Sequence, residues 1–217
     1  MSDTPLLSRI QDRVLHLTLN RPDKRNALSL ELRTRISAEL GAATTNPGVG
    51  AAVLSAAGDH FCAGFDLKEL MAAPDPAVVF NEANAYHRTV HNFPKPLVAA
   101  VSGSALAGGF DLALLCDIRL AAPDASFGQP QVRHGMPALY DLVAKAVGDS
   151  RARELCLTGR IVDAVEAEHI GLVHRIVDRG QLVEQALALA ADLAAVPSSA
   201  LAKRNFITSQ PDLFGID

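Results

Sequence analysis

Residues 105–117 read ALAGGFDLALLCD: two adjacent glycines, Gly108 and Gly109, and then six apolar residues broken by a single acid, Asp111. Glycine lets a backbone take positive φ and approach another atom with no β-carbon in the way. A glycine at a helix mouth therefore lets free amides point at a ligand. The run after the glycines is too apolar for a surface helix and predicts a buried one, with Asp111 in its first turn. An acid buried there without a partner is costly, which tilts Asp111 towards function; the competing reading is a first-turn acid that only satisfies backbone amides. Position at a helix N-terminus favours the ionised carboxylate, so the expected form of Asp111 is a base.

Outward from this stretch, β-type runs fall at 14–19, 51–55, 97–101, 118–121 and 172–177, each short and bounded by Gly, Pro, Asn or Asp. Helical patterns lie between them at 30–43, with Ser29 as N-cap, and at 77–92, 139–147, 164–170 and 181–195. Strands separated by helices imply an α/β fold with right-handed crossovers. In such folds the loops leaving the carboxyl ends of strands build the site. Two loops qualify: GDHFCAGFDLKEL, 58–70, and SGSALAGGFDLALL, 102–115. Each has a glycine turn, presenting the N–H of Phe65 in one and of Gly108 in the other. Two amides from different loops aimed at one point would form an oxyanion hole, suited to a thioester whose carbonyl becomes an enolate. The bland reading of either loop alone is a tight turn before a helix.

The 217 residues carry a net charge of −4 and are 49% hydrophobic, enough for one large core. With no basic block, eight Phe, two Tyr and no Trp, the chain offers neither a phosphate-tracking groove nor a stacking platform, so nucleic acid is not an expected partner. The first twenty residues lack a leader pattern and no stretch is long and apolar enough to span a membrane, which predicts a cytoplasmic protein with no membrane partner. Cys62, Cys116 and Cys156 form no CxxC pair and read as reduced, buried thiols. His87 and His91 have the i, i+4 spacing of a metal pair but lack the Glu of HExxH, so no metal is expected.

FCAGFDLKEL, followed about forty residues later by KPLVAAVSGSALAGGFDLALLCDIRLAAPDASFGQP, resembles the enoyl-CoA hydratase/isomerase (crotonase) superfamily. RPDKRNAL at 21–28 and LTGRIVDAVEAEHIGLVHRIV at 157–177 extend the likeness in matching order over roughly residues 8–205. The resemblance implies an α/β crotonase-like (ClpP/crotonase) spiral of repeated ββα units over 1–195, with a shortened C-terminal helical region at 196–217. It implies a homotrimer or dimer of trimers that takes acyl-CoA thioesters, with no metal or redox cofactor and coenzyme A as part of the substrate. By the same resemblance Phe65 and Gly108 supply the oxyanion amides, and Ala63, Asp66, Leu67 and Lys68 line the CoA arm. Lys24, Arg25 and Ala27 fall in the stretch where related proteins meet CoA, its basic residues facing the phosphates.

The family's hydratases share proton work between two glutamates. One lies three residues beyond the oxyanion glycine, where this chain has Asp111. The other closes FGQPE, where this chain has FGQPQ and hence Gln131, an amide that exchanges no proton at neutral pH. If Gln131 only orients water, Asp111 must take and return the proton, or His134, Tyr140 or Asp141 must supply it. His134 also reads as an exposed loop histidine, while Tyr140 and Asp141 occupy a region that supplies acids to other branches of the superfamily. Phe65 stands where many relatives have Ala, and either shapes the acyl pocket or packs on the core. The leading expectation is an enoyl-CoA hydratase, a hydro-lyase. An enoyl-CoA isomerase using one carboxyl and a non-catalytic acyl-CoA binder are the alternatives. The tail ITSQPDLFGID, interrupted by Pro211, is not expected to form the family's closing helices.

Overall fold

The structure, a computed structural model, describes residues 4–72 and 76–209. Its first half runs β1 (Leu6–Gln11), β2 (Val14–Leu19), α1 (Leu30–Thr45), β3 (Ala51–Ala56), α2 (Leu67–Ala72), α3 (Pro76–His91), β4 (Leu97–Val101), β5 (Ser104–Leu106) and α4 (Gly108–Leu115). The second half runs β6 (Ile118–Ala121), β7 (Ser126–Gly128), α5 (Tyr140–Val147), α6 (Asp149–Thr158), β8 (Ile161–Asp163), α7 (Ala164–His169), β9 (Arg175–Ile176), α8 (Leu182–Ala195) and α9 (Ser199–Ser209).

A six-stranded sheet has the order β1-β2-β3-β4-β6-β9, parallel except for the antiparallel β1. A second sheet has the order β5-β7-β8. The ββα repeat implied by the sequence is visible in this division. β4 lies in the large sheet, β5 in the small one, and α4 follows; β6 and β7 divide in the same way before α5. After β3 the equivalent second strand shrinks to a single parallel bridge between Cys62 and Ala105.

The central strands are buried on both faces, and their alternation separates two cores. Leu97, Ala99 and Val101 of β4 join the core under α1, α3 and α4, whereas Val98 and Ala100 join the one covered by α8. The Ala-rich α8 buries Leu182, Ala186, Ala190 and Ala194 on the sheet. Among the described residues no single helix is long and apolar enough to cross a membrane.

Several expectations needed correction. β1 was not anticipated: it is an edge strand with only Leu6 buried, joined to β2 through Asp12 and Arg13 at φ 50° and 63°, a left-handed turn made without Gly or Asn. The 172–177 strand shrinks to Arg175–Ile176, because the N–H groups of Leu172 and Val173 both bond Ala167 O at the end of α7. α6 carries mostly polar residues and buries only Ala152 and Leu155, so it gave no apolar period. At the chain's end the C-terminal region is a single helix as far as Ser209, while Pro211 and the rest of 210–217 lie outside the described residues. α9 is anchored by Lys203, whose buried ammonium donates to Asp117 Oδ2 at 2.7 Å, the oxygen that also accepts the N–H of Leu97.

Candidate active site

The loops after β3 and β4 meet because their backbones interlock. Cys62 N–H donates to Ser104 O and Leu106 N–H to Cys62 O, both at 3.0 Å. On the other side, Gly64 O accepts from Leu28 N at 2.8 Å and Asp66 N donates to Leu28 O at 3.3 Å. Strand alternation then turns the Phe65 N–H away from Leu28. Among the described residues neither the Phe65 N–H nor that of Gly108, the first residue of α4, takes a backbone partner.

The two amides are close: a β-carbon at Gly64 would stand 3.3 Å from Gly108 N and 3.0 Å from the Ala107 β-carbon. A β-carbon at Gly109 would fall onto Cys62 O and within 2.7 Å of its carbonyl carbon. Here the adjacent glycines of the opening stretch find their reason, Gly109 for contact with Cys62 and Gly108 for contact with the Phe65 ring, which a β-carbon would meet at 2.7 Å. Ala107 holds the turn at φ 50° and ψ −125°, strained for a residue with a side chain, and its N–H is pinned to Gly128 O at 2.9 Å.

Both loops line a cavity of about 320 Å³. Ala63, Phe65, Leu67 and Gly108 form part of its wall; Asp111, Gln131 and His134 supply polar groups, and Asn84 and His87 face it from α3. Asp111 is buried, and among the described residues it is the only carboxyl on this wall. Desolvation by burial raises its pKa to about 7 against the lowering effect of a hydrogen bond from Gln129. The expected stabilisation of the ionised form by the helix terminus is therefore outweighed: the acid is poised near neutrality rather than held as a carboxylate.

Gln129 had not been anticipated as a site residue. It is 1% exposed, and its Nε2 donates to Asp111 Oδ1 at 2.7 Å. Its Oε1 accepts from Gln131 Nε2 at 2.6 Å, and Gln131 Oε1 is buried with no hydrogen-bond partner among the described residues. The only clue in the sequence is a polar residue next to Pro130, which reads as loop.

The remaining candidates divide. His134 is exposed at the cavity rim. Tyr140 does not reach Asp111: its hydroxyl donates to Asp149, Arg153 stands over its ring at 5.8 Å, and it lines a separate open groove. Asp141 is exposed and outside the cavity wall.

Asp66 faces Arg21 at 3.0 Å and caps Lys68 N at 3.1 Å. Burial pushes its pKa up, but these bonds win and hold it below the usual value. Arg21 also donates to Ala27 O, and Arg25 O accepts from Ala63 N at 3.0 Å, so the 21–27 segment braces the Phe65 loop. The side chains of Lys24, Arg25 and Lys68 are exposed outside the cavity.

Phe65 has two sets of neighbours. Its ring lines the cavity and also packs edge-on to His87, centroids 5.9 Å apart, beneath the buried Arg33 guanidinium at 5.0 Å. Burial, and secondly Arg33, lower the His87 pKa to about 4, leaving it neutral at ordinary pH. Among the described residues no group of three or more His, Cys, Asp or Glu is placed to hold a metal ion.

The model of the family described as enoyl-CoA hydratase/isomerase matches residues 9–209. A Rhizobium meliloti protein named "Probable enoyl-CoA hydratase" is 40% identical over 94% of this chain and 81% of its own. The 2,3-dehydroadipyl-CoA hydratase of Escherichia coli is 39% identical over 85% of this chain and 73% of its own. The crystal structure of an enoyl-CoA hydratase from Bacillus anthracis superposes with a TM-score of 0.89 at 31% identity, covering 93% of this chain and 82% of that one.

Proposed function

The chain belongs to the enoyl-CoA hydratase/isomerase family, and from that premise we propose that it is a hydratase adding water to a trans-2-enoyl-CoA, with Asp111 carrying both proton transfers. The observation that carries this reading is the meeting of two unbonded amides, Phe65 and Gly108, beside one carboxyl with a pKa near 7. The thioester oxygen accepts from both amides. Ionised Asp111 takes a proton from water as the water oxygen bonds to Cβ, and the C=C electron pair moves onto the thioester as an enolate. The two N–H groups stabilise that charge, each contributing about 3–4 kcal/mol in sites of this kind. Asp111 then returns its proton to Cα, so one water is added and the carboxylate is regenerated. No metal or redox cofactor takes part in this scheme, and coenzyme A enters only as part of the substrate. As the assembly we propose a trimer or dimer of trimers, on the family resemblance alone.

One observation favours a second reading. Gln131 cannot exchange a proton, and a single carboxyl suffices to move one from Cα to Cγ of a 3-enoyl thioester, making the protein an isomerase. Liquid chromatography coupled to mass spectrometry, which resolves the isomeric thioesters by retention and hydration by mass, separates the two on purified protein. Gain of one water by a short trans-2-enoyl-CoA establishes hydration. Conversion of the 3-enoyl to the 2-enoyl isomer without water gain establishes isomerisation. In either case Asp111→Ala is expected to lower turnover at least a thousandfold while calorimetric binding of butyryl-CoA stays within about threefold; surviving turnover would end both schemes.

A further inference from the structure

Ionised Asp111, the form that acts as base, only accepts hydrogen bonds, whereas a primary amide has a donor end and an acceptor end. That asymmetry gives the chain Asp111–Gln129–Gln131 a direction. With Nε2 of Gln129 2.7 Å from Asp111 Oδ1, its Oε1 must face Gln131, whose Nε2 arrives at 2.6 Å. Turning either amide over would bring two donors or two acceptors face to face. Gln131 has one more N–H, directed at Pro137 O at 3.4 Å. What it has left is Oε1, buried and unpartnered among the described residues, on a side chain that lines the cavity.

We propose that Gln129 is a positioning residue: bonded to Asp111 at one end and Gln131 at the other, it fixes the polarity of the chain so that Gln131 presents only a hydrogen-bond acceptor to the cavity. This deepens the hydratase reading and rests on it. A water molecule has two hydrogens, which in this scheme go to two acceptors, Asp111 and Gln131 Oε1. Water that donates to both is left with its lone pairs for Cβ. Gln131 holds the water and never passes a proton, and Gln129 touches neither water nor substrate. The same bond to Asp111 lowers the pKa that burial raises, so Gln129 also sets the pH at which the base becomes active.

The test compares Gln129→Met with Gln131→Met. Gln129→Met is expected to lower kcat for a short trans-2-enoyl-CoA about tenfold to a hundredfold, the size of one charge-assisted hydrogen bond, with KM within about threefold. It should also move the ascending limb of the pH–rate profile upward. Gln131→Met should lower kcat by a similar factor and leave that limb in place. The double variant should lose little more than either single one, since the two residues act through one chain. A role for Gln129 in packing alone would lower activity without moving the limb, and would overturn the proposal; so would full kcat in Gln131→Met, whose half-buried site tolerates an isosteric change. Carbon-13 NMR of labelled aspartate in the resting protein reads the Asp111 titration without any turnover. If the wild type adds no water, the hydratase reading fails. An Asp111 titration unmoved by Gln129→Met sinks the positioning role on its own.

Discussion

The loop pair at 62–66 and 104–111 and the segment from 129 to 141 border the same cavity, yet they are held by different means. In the loop pair, hydrogen bonds link Cys62 to Ser104 and Leu106, and a backbone contact at Gly109 leaves no space for a β-carbon. In the second segment, a short 3-10 helix over Pro130–His134 ends at Gly135, around which no atom lies within 4 Å of a β-carbon's position. The first region contributes amides, whose chemistry depends only on where the backbone lies. The second contributes side chains, whose chemistry depends on identity. A residue such as Gln131 can therefore stand where the resemblance led us to expect an acid without disturbing the fold, while the loop pair allows almost no change.

The sharpest break of that comparison is a pair of glycine substitutions. Gly109→Ala must push the Cys62 loop away from α4. It is expected to cost about 4 kcal/mol, the range of severe backbone or core conflicts, and to remove butyryl-CoA binding as the Phe65 and Gly108 amides separate. Gly135→Ala meets open space and bears only the strain of φ 79°, about 1 kcal/mol, with binding retained. Urea denaturation and calorimetry measure both. Equal costs at the two positions would mean that backbone contact does not hold the amide pair.

Next in size is a stability that depends on pH through Asp111. Its folded pKa, about 7, lies above its unfolded value near 3.9, so the native state binds the proton more tightly. The associated stability is complete below about pH 4, is lost as pH rises towards 7, and changes no further above that. Three pK units correspond to about 4 kcal/mol. Asn at 111 does not titrate, so the stability of Asp111→Asn relative to wild type should rise by about 3–4 kcal/mol between pH 4 and pH 8. Gln131→Met, in the looser segment, should show no such rise. A flat difference for Asp111→Asn would mean that the acid is hydrated and already ionised at low pH.

These contrasts also explain what the sequence could reveal. Strands 14–19, 97–101 and 118–121 were legible to the residue because each is a short alternating or continuous β-type run with clear stops. Ser29 was legible as the cap of α1 because capping is local; its Oγ accepts from Leu32 N at 3.3 Å. Gly64 and Gly108 marked the amide pair for the same reason. β1 was illegible because five of its six residues are exposed, and α6 because its buried face is two residues wide. Gln129 was illegible because its meaning comes from an acid eighteen residues away in the chain. The charge state of Asp111 was misjudged because a helix terminus is visible in sequence and complete desolvation is not. Tyr140 and Asp141 drew attention because the resemblance places them in a region that supplies acids to other branches of the superfamily, and here Tyr140 bonds Asp149 while Asp141 lies outside the cavity wall.

The smallest expected effect belongs to Tyr140, and it marks where the chemistry of the second segment stops. Its hydroxyl is committed to Asp149, with Arg153 bonded to the same carboxylate at 2.8 Å and lying over the ring. Met136, Pro137 and Ala138 line both its groove and the cavity of Asp111, forming the partition between them. A phenol on the far side of that partition has no route to a substrate carbon. Tyr140→Phe should therefore leave kcat/KM for a trans-2-enoyl-CoA within about twofold, since removing a proton donor that acted would cost a hundredfold or more. A loss of that larger size would mean that the partition opens during turnover and that the acid side of the reaction lies in the 129–141 segment after all, with Asp111 left as base alone.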